Sequence, residues 1–455
     1  MNRRSSLSLQ QTPLLLPLIC LMTGMMIGWW GLAVGVWVAL VVAAWMARSW
    51  PVVQSLLIGG AFVVTGMMNA PAPDSQLPQG QWMEGVVADM PAEKPKTMAV
   101  EVMLPTEGKT QRFYFRKDSC SRSLRITDGV RLRLSHEGWF VNSRDWQRGG
   151  NAREQLSRWQ RIRLWCMVWR QQLLQRYRQL DADETEYAIL SAMTLGSRSA
   201  LTPEMRDVFN VSGAGHVLAL SGLHLGIIFW LLSRLLFVRR FWVGRALLVC
   251  ALWGFAFLTG LSPSIVRSAA MLTVFTLFIG RSYVSFNALC LAAILLLLFD
   301  NRSLFDMGFQ MSFASVGAIL IFMPVFERFL PKRWQRHKLL WWPVTAMAVS
   351  VAAQIGAAPL VAYYFGRFST YFLLTNLFVI PATMLILITS LLLLVLPCGS
   401  LGVLLTFFVR LLNWGLSLIA GLPLASIEGL HPSVTQVVLL YLLAAVAYRM
   451  IRVFR

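Results

Sequence analysis

Two histidines and a serine stand in an apolar run of the sequence. His216, Ser221 and His224 belong to the segment HVLALSGLH, and the three-residue spacing of Ser221 and His224 puts them on one face of a helix. Ionisable side chains inside a membrane-spanning segment usually face a bundle interior or a water-filled path. Gly222 lets a neighbouring helix approach closely. The run therefore predicts a polar passage, with plain packing and hydrogen bonding as the alternative.

Hydrolysis by Ser221 would require an activating histidine and a carboxylate that orients it. The run has no GxSxG elbow and no nearby carboxylate. The chain's five histidines form no HxH or HExxH pair, and its six cysteines form no CxxC pair. We therefore expect no enzyme, metal or cofactor, and keep a membrane-embedded hydrolase using Ser221 and His224 as the weaker alternative.

Two further polar clusters lie near the ends of apolar segments. Ser264 and Arg267 follow Pro263, a residue that suits the start of a helix, so Arg267 falls within its first turns. Asp306 and Gln310 open a later segment and share one face of it. Arg267 and Asp306 both fall near the outer face of the membrane, and we expect them to form a charge pair.

Asn376 and Pro381 interrupt a long apolar segment, which predicts a broken helix of the kind that lines transport paths. Each polar cluster alone is typical of an interfacial anchor or a kink, but together they favour a passage. Buried polar groups without partners are costly, so its side chains should approach one another. The expected lining is His216, Ser221, Gly222, His224, Ser264, Arg267, Asp306, Gln310 and Asn376.

The composition indicates which elements hold these residues. Of 455 residues, 56% are hydrophobic and only 14% are charged, against about 25% in a soluble domain. This excludes an ordinary soluble enzyme and fits a chain that crosses a bilayer many times. The formal net charge of +20 has two ordinary causes, basic cytoplasmic loops and a polyanionic partner.

The chain divides into four regions, and the first two differ sharply in character. Residues 1–68 hold three apolar runs, 14–30, 31–47 and 52–68, which fit three crossings better than a cleaved leader. Residues 69–149 begin with a Pro-rich linker and continue in short alternating stretches that predict strands. These stretches are 82–88, 98–104, 111–116, 130–134 and 139–142. Five short strands suggest a small OB-like β-barrel outside the membrane.

Alternation along one strand separates a polar face from an apolar face. Arg112, Tyr114 and Arg116 share the first face, and Phe113 and Phe115 the second, so Tyr114 is the better stacking residue. OB-folds commonly combine a basic groove with aromatic platforms to bind single strands. The expected DNA-binding set is Arg112, Tyr114, Arg116, Lys117, Arg131 and Arg133, with a solvated basic face as the alternative.

The last two regions complete the architecture. Residues 150–212 contain a basic, Trp-bearing amphipathic helix, typical of a membrane interface, with contact to nucleic acid as the alternative. Residues 213–455 contain nine apolar segments: 214–236, 246–261, 264–280, 284–299, 306–326, 341–362, 371–396, 400–420 and 434–448. Arginine and lysine collect in alternate loops, which places both termini in the cytoplasm. The predicted fold is a polytopic α-helical membrane protein with an inserted OB-like β-barrel domain outside the membrane.

At these residues the chain resembles the ComEC family of competence proteins, inner-membrane channels that internalise transforming DNA. The matching pieces occur in the family's order and cover essentially the whole chain. They are Leu195-Gly196 with Arg198, Gly215-His216 through Ser221-Gly222-Leu223-His224, Pro263-Ser264 with Arg267, Asp306 with Phe309-Gln310 and Ser312-Phe313, Pro359, Tyr364-Phe365-Gly366, Phe368-Ser369, Asn376 and Pro381. The SGLH run with His216 is the most specific of them.

The resemblance implies a bacterial inner-membrane channel for single-stranded DNA, embedded in the lipid bilayer. It also implies partners among the competence machinery, namely a DNA receptor, a cytoplasmic translocase and a separate nuclease, and a homo-oligomer. Many family members end in a metallo-β-lactamase-like domain with an HxHxDH motif that this sequence lacks. The chain is expected to be either a short form or an incomplete product, and nuclease activity is not carried over. A secondary transporter for a small anion is the alternative function.

Overall fold

A computed structural model describes residues 13–27, 40, 51–68, 80–107, 109–134, 139–150, 152–236, 238, 241–279, 284–329, 337–396 and 398–453. The protein is mostly helical, with one seven-stranded sheet and one two-stranded ribbon. The second expected crossing, 31–47, apart from Leu40, the linker 70–78 and His136 lie outside the described residues.

The first two helices are apolar, as the sequence predicts. Helix α1 spans Leu15–Ile27 and α2 spans Pro51–Met68. Leu21 and Met25 of α1 are buried in one cluster with Leu297 and Phe309. The N-terminal helices therefore pack against the helices of residues 184–453, which are called the helical module.

The sheet contains all five predicted strands and two more. Its strands are β1 (Trp82–Val87), β2 (Ala92–Glu93), β3 (Thr97–Leu104), β4 (Lys109–Arg116), β5 (Gly129–Arg133), β6 (Phe140–Val141) and β7 (Trp146–Arg148). Their order is β6-β4-β3-β1-β5-β7, with β2 paired to β3. No pairing joins β6 to β7 within the described ranges, so the expected barrel is not closed. A short helix, α3 (Ser119–Arg122), follows β4.

The two faces of the sheet have different neighbours. Phe113 and Phe115 point into the sheet's own core and are fully buried, as the alternation predicts. On the opposite face, Met103 packs with Leu164 and Met167 of α4 (Arg158–Arg178). The basic helix therefore lies against the sheet. Its last turn reaches the helical module, where the Tyr177 hydroxyl lies 2.5 Å from the Ser390 hydroxyl.

The helical module supplies a helix or helix pair for each of the nine predicted segments. After α5 (Glu184–Leu195) and α6 (Pro203–Val211) come α7 (Gly215–Leu218), α8 (Gly222–Leu235), α9 (Trp242–Leu258), α10 (Pro263–Leu277), α11 (Val284–Phe299), a 3₁₀ turn (Asn301–Phe305), α12 (Met307–Phe329), α13 (Lys338–Phe365), α14 (Phe372–Val395), α15 (Gly399–Ala420) and α16 (Val434–Val453). Strands β8 (Arg367–Ser369) and β9 (Ser426–Glu428) pair between helices.

Five of these helices, α12 to α16, are long and apolar enough to cross a membrane. The preceding helices α8 to α11 are apolar but shorter. The length and composition of α12 to α16 favour a membrane protein.

The broken helix lies in a different place from the predicted one. Helix α14 runs without interruption through Asn376 and Pro381. Proline removes one backbone hydrogen bond, but contacts with neighbouring helices compensate for such losses in membrane bundles. The first segment of the module breaks instead, where Ala219 and Ser221 adopt extended backbone between α7 and α8. The prediction of a break in 371–396 is therefore wrong.

Candidate functional site: a polar path in the helical module

The break between α7 and α8 positions Ser221 and His224. Ser221 is the N-cap of α8, and its backbone N–H donates to Nδ1 of His224 over 3.2 Å. The Ser221 hydroxyl lies 3.2 Å from the same nitrogen. Because Nδ1 accepts this N–H, the proton of a neutral imidazole is on Nε2. His224 is fully buried, and its Nε2 has no hydrogen-bond partner among the described residues.

Ser221 and His224 thus form a helix cap, and the N–H on Nε2 of His224 is a buried donor without an acceptor among the described residues. The predicted contact of Ser221 with His224 exists, but Ser221 precedes the helix instead of lying on its face. A serine hydrolase would need a carboxylate on the far ring nitrogen to orient the base. In the described part of the chain that nitrogen meets no acceptor.

Helix α10 lies against this turn. Ser264 and Ser268 are one helical turn apart, and the Ser268 hydroxyl donates to the Ser264 carbonyl over 2.9 Å. A Cβ added to Gly222 would lie 3.1 Å from the Ser268 hydroxyl oxygen, so glycine permits the close approach. His216 is exposed, and its Nδ1 lies 3.2 Å from the Gly213 carbonyl oxygen.

Arg267 forms the predicted pair with Asp306. Nη1 of Arg267 lies 3.0 Å from Oδ1 of Asp306, and the same oxygen accepts the N–H of Phe309 over 2.7 Å. Arg267 is only 8% exposed, while Asp306 has solvent access. Gly308 leaves room for the pair, because a Cβ there would lie 2.6 Å from Nη2 of Arg267.

Gln310 extends this network to a third helix. Its side-chain amide donates to the Leu304 carbonyl over 3.0 Å, and its Oε1 accepts the hydroxyl of Tyr364 over 2.7 Å. The network therefore links α10, the 3₁₀ turn, α12 and the end of α13.

The structure arranges the predicted lining in two adjacent groups. One holds Ser221, Gly222 and His224, with Ser264 one turn from Ser268 on α10, and the other holds Arg267, Asp306 and Gln310. No hydrogen bond joins His216 to either group within the described residues. Helix α10 contributes to both, since Ser264 and Arg267 are three residues apart. Asn376 is separate, because no hydrogen bond joins it to either group within the described ranges.

Several buried polar atoms of the helical module have no protein partner among the described residues. They are Nε2 of His224, the hydroxyls of Ser262, Ser369, Thr383 and Ser426, Nε of Arg267 and Oδ1 of Asn376. Buried polar atoms in proteins are nearly always satisfied, by water where protein offers nothing. These atoms lie on α8, α10 and its N-cap, α14 and the β8–β9 ribbon.

Sequence reasoning missed two charged pairs in the helical module. In the first, Nη1 of Arg367 in β8 lies 3.4 Å from Oδ1 of Asp207 in α6. In the second, Nε of Arg410 lies 2.7 Å from Oε1 of Glu186, which joins α15 to α5. Arg410 is the single charged residue of the segment Gly399–Ala420, and that isolation in an apolar helix was the available signal. Tyr364 was quoted only as a piece of the family pattern, with no contact predicted.

The predicted DNA-binding residues of the sheet are largely paired with carboxylates. The pairs are Arg112–Glu101, Lys117–Glu93 and Arg131–Glu84, each at 2.5 Å, and Arg133–Asp145 at 2.8 Å. Tyr114 is half-buried with the Lys94 ammonium 4.9 Å from its ring centroid. Arg116 is exposed and has no ion pair among the described residues. This face is therefore less basic than its sequence suggests.

These pairs shift the titration of the acids. The hydrogen bond from Arg133 lowers the pKa of Asp145, and the hydrogen bond from Lys117 lowers the pKa of Glu93. Both carboxylates are therefore charged at neutral pH. In the described residues, no group of three His, Cys, Asp or Glu side chains is placed to hold a metal ion.

Comparison with known proteins gives one family match. A family model described as Competence protein matches residues 193–454, a range that contains every residue of the two groups and Asn376. No solved structure matches the chain.

Three relatives illustrate the likeness. The chain is 32% identical over 211 residues to ComE operon protein 3 of Bacillus subtilis (strain 168), covering 44% of this chain and 25% of the relative. It is 33% identical over 195 residues to an uncharacterized protein of Aquifex aeolicus (strain VF5), covering 42% and 44%. It is 34% identical over 170 residues to competence protein ComA of Neisseria gonorrhoeae, covering 34% and 24%. The matched regions thus span less than half the length of these relatives.

Proposed function

The chain belongs to the competence protein family, whose model matches more than half of it, and from this premise we propose that it is a channel for DNA uptake. In this proposal the protein passes single-stranded transforming DNA across the bacterial cytoplasmic membrane into the cell. Two relatives bear names that refer to competence or to the ComE operon. The chain acts as a passage and not as an enzyme.

The observation that carries the proposal is the set of buried polar atoms without protein partners on α8, α10 and α14. A bundle built only to pack against lipid would satisfy such atoms within itself, because each unsatisfied one is costly in an apolar environment. A hydrated path gives them partners.

The predicted topology agrees with contacts at one end of the module. Strands β8 and β9 pair, although they lie in different loops of the chain. Thr375, in the first turn of α14, donates its hydroxyl to the Ser212 carbonyl over 2.6 Å. These contacts support a common end of the module for the loops before α7, α14 and α16, the end that the proposed topology puts outside.

The sheet serves the channel as an OB-like binding domain outside the membrane. Arg116 and Tyr114 are the residues of the predicted set that retain solvent access without a carboxylate partner. The partners are single-stranded DNA, a DNA receptor, a cytoplasmic translocase, a separate nuclease and further copies of the chain.

A deletion strain tests this function. Cells lacking the gene should bind labelled double-stranded DNA at their surface but should not convert it to nuclease-resistant, internal DNA. Expression of the intact gene from a plasmid should restore uptake. Normal uptake by the deletion strain would refute the proposal.

A further inference from the structure

The middle of α4 lies against the turn between α9 and α10. A Cβ added to Gly260, in that turn, would lie 2.6 Å from Cε of Met167 and 3.5 Å from Nη1 of Arg170. The same part of α4 holds the sheet, because the buried guanidinium of Arg170 forms an ion pair with Asp89, which lies between β1 and β2. Arg170 therefore lies where the sheet, α4 and the α9–α10 turn meet.

A series of contacts places the α9–α10 turn at the end of the helical module that holds the β8–β9 ribbon. Arg267, within the first two turns of α10, pairs with Asp306, which directly precedes α12. Gln310, in the first turn of α12, accepts the hydroxyl of Tyr364, which lies close to the end of α13 and three residues before β8. The proposed topology puts this end of the module outside the membrane.

The last turn of α4 lies near the opposite end of the module. Helix α14 starts three residues after β8 ends, and its 24 residues are about 36 Å long. Nη1 of Arg176 donates to the carbonyl of Leu394, in the last turn of α14, over 3.0 Å. A Cβ added to Gly402, in the first turn of α15, would lie 2.8 Å from Cδ2 of Leu180. Helix α4 therefore runs from the ribbon end of the module toward the other end.

Helix α5 returns to the α9–α10 turn. A Cβ added to Gly196, the C-cap of α5, would lie 3.5 Å from the carbonyl oxygen of Thr259, the residue before Gly260. Residues 186–195 of α5 are all buried. The two helices thus form a hairpin that starts and finishes at the ribbon end, with residues 180–183 as its turn near the other end.

A polar stripe of α4 is exposed along this course. Gln172, Gln175, Arg176 and the C-cap residue Gln179 follow the helical repeat along one side of α4, and all four are exposed. Within a bilayer, re-entrant segments occur where they are buried in protein or line a water-filled space, and ionisable side chains face such a space. Helix α5 meets the first condition, and the polar stripe of α4 requires the second.

We propose that α4 and α5 form a re-entrant hairpin whose turn, residues 180–183, lies at the cytoplasmic end of the module, with the polar stripe facing water that is continuous with the cytoplasm. The inference rests on the proposed function, because that proposal puts the sheet outside. One continuous helix then connects the external sheet, held by Arg170, with the cytoplasmic ends of α14 and α15. The hairpin adds no net crossing, so the topology of the later helices is unchanged.

The test is cysteine accessibility in the full-length chain, in a background whose six native cysteines are replaced by serine. A single cysteine replaces Ser143 on the sheet, Gln175 in the stripe or Asp181 in the turn, all of which are exposed. Membranes are treated with an impermeant methanethiosulfonate, dissolved in detergent and labelled with biotin maleimide. In spheroplasts the treatment should abolish biotinylation at position 143 but not at positions 175 and 181. In inverted vesicles the outcome should be reversed.

Trp414 provides the matched control for contact with water. Its side chain is exposed on α15, one of the helices long and apolar enough to cross a membrane, so a cysteine there should face lipid. It should resist the impermeant reagent from both sides and react with biotin maleimide only in detergent. Gel filtration of each variant establishes that it is folded before the labelling is compared.

Two results would overturn the hairpin and leave the proposed function standing. Protection of position 181 in spheroplasts, together with position 143, would lay α4 flat on the outer surface instead. Position 175 could also resist the reagent from both sides, as position 414 does, which would show that the stripe does not face water. A third result, protection of position 143 only in inverted vesicles, would refute the external sheet of the proposed function and the hairpin with it.

Discussion

Arg267 and Asp306 are joined 3.0 Å apart across two helices, and the same carboxylate oxygen caps α12 by accepting the Phe309 N–H. One acidic group therefore neutralises a buried guanidinium of α10 and satisfies a free backbone donor at the start of α12. Through Gln310 and Tyr364 the arrangement reaches α13. Any change in the charge of Asp306 should thus affect both the packing and the polar path.

Asp306→Asn should leave the helix cap but remove the charge that balances Arg267. We expect the free energy of unfolding to fall by roughly 1–3 kcal/mol, between the values for exposed and buried pairs, because Asp306 retains solvent access. Internalised DNA should fall while surface-bound DNA stays constant. Arg267→Met combined with Asp306→Asn should recover stability but not uptake. A double variant that is as unstable as Asp306→Asn alone would argue against the pair as the cause.

Gly308→Ala should displace Arg267 without removing any charge. The added methyl group would lie 2.6 Å from Nη2, so the guanidinium must move away from Asp306. Gly226→Ala on α8 is the matched control, since a Cβ there meets nothing within 4 Å and should gain roughly 0.5–1 kcal/mol from helix propensity. Thermal unfolding and uptake are measured for both. Equal stabilisation and equal uptake in the two variants would contradict the account.

The sequence predicted contacts best where a buried charge needs a partner or where strand alternation assigns side chains to one face. Arg267 and Asp306 were predicted as a pair because a buried charge requires a partner, and Phe113 and Phe115 were placed in a core by alternation alone. Pro381 led to the wrong prediction of a break in helix α14, because the cost of a proline in a helix depends on neighbours that are remote in sequence. The break before Ser221 could not be predicted, because the residues on both sides of it are apolar and the pattern indicated one continuous helix.

The sheet shows a similar limit. Its strands could be predicted from alternating residues, but Arg112, Arg131 and Arg133 could not be paired with their carboxylates without the strand register. Glu101 faces Arg112, and Glu84 faces Arg131, only because β3, β4, β1 and β5 align in one register. The lack of pairing between β6 and β7 in the described ranges depends on the same tertiary arrangement.

Tyr114→Ala should weaken oligonucleotide binding by the full-length protein by roughly 1–3 kcal/mol, because a base loses its stacking partner. Trp414→Ala removes an exposed ring of α15 and should leave binding unchanged. Fluorescence anisotropy at fixed salt measures both. If the two variants bind equally, Tyr114 has no stacking role.

Asp145→Asn should destabilise the sheet in a pH-dependent way. The pKa of Asp145 is lowered in the folded protein by Arg133, so its stabilisation is present above the unfolded pKa of about 3.9 and disappears as pH falls through the folded value. The unfolding midpoint of the variant should lie below that of the wild type at pH 7 and approach it below about pH 4. Glu107→Gln, at an exposed turn, should show no such convergence.

Cross-linking during uptake tests the central claim most directly. The photoreactive residue p-azidophenylalanine replaces Ser264, on the face of α10 beside Arg267, or Trp414, on the exposed face of α15. Illumination of cells that are taking up labelled DNA should attach a single strand, protected from external nuclease, to position 264 and not to position 414. Active uptake with no adduct at position 264, or with equal adducts at both positions, would contradict a DNA path through this bundle.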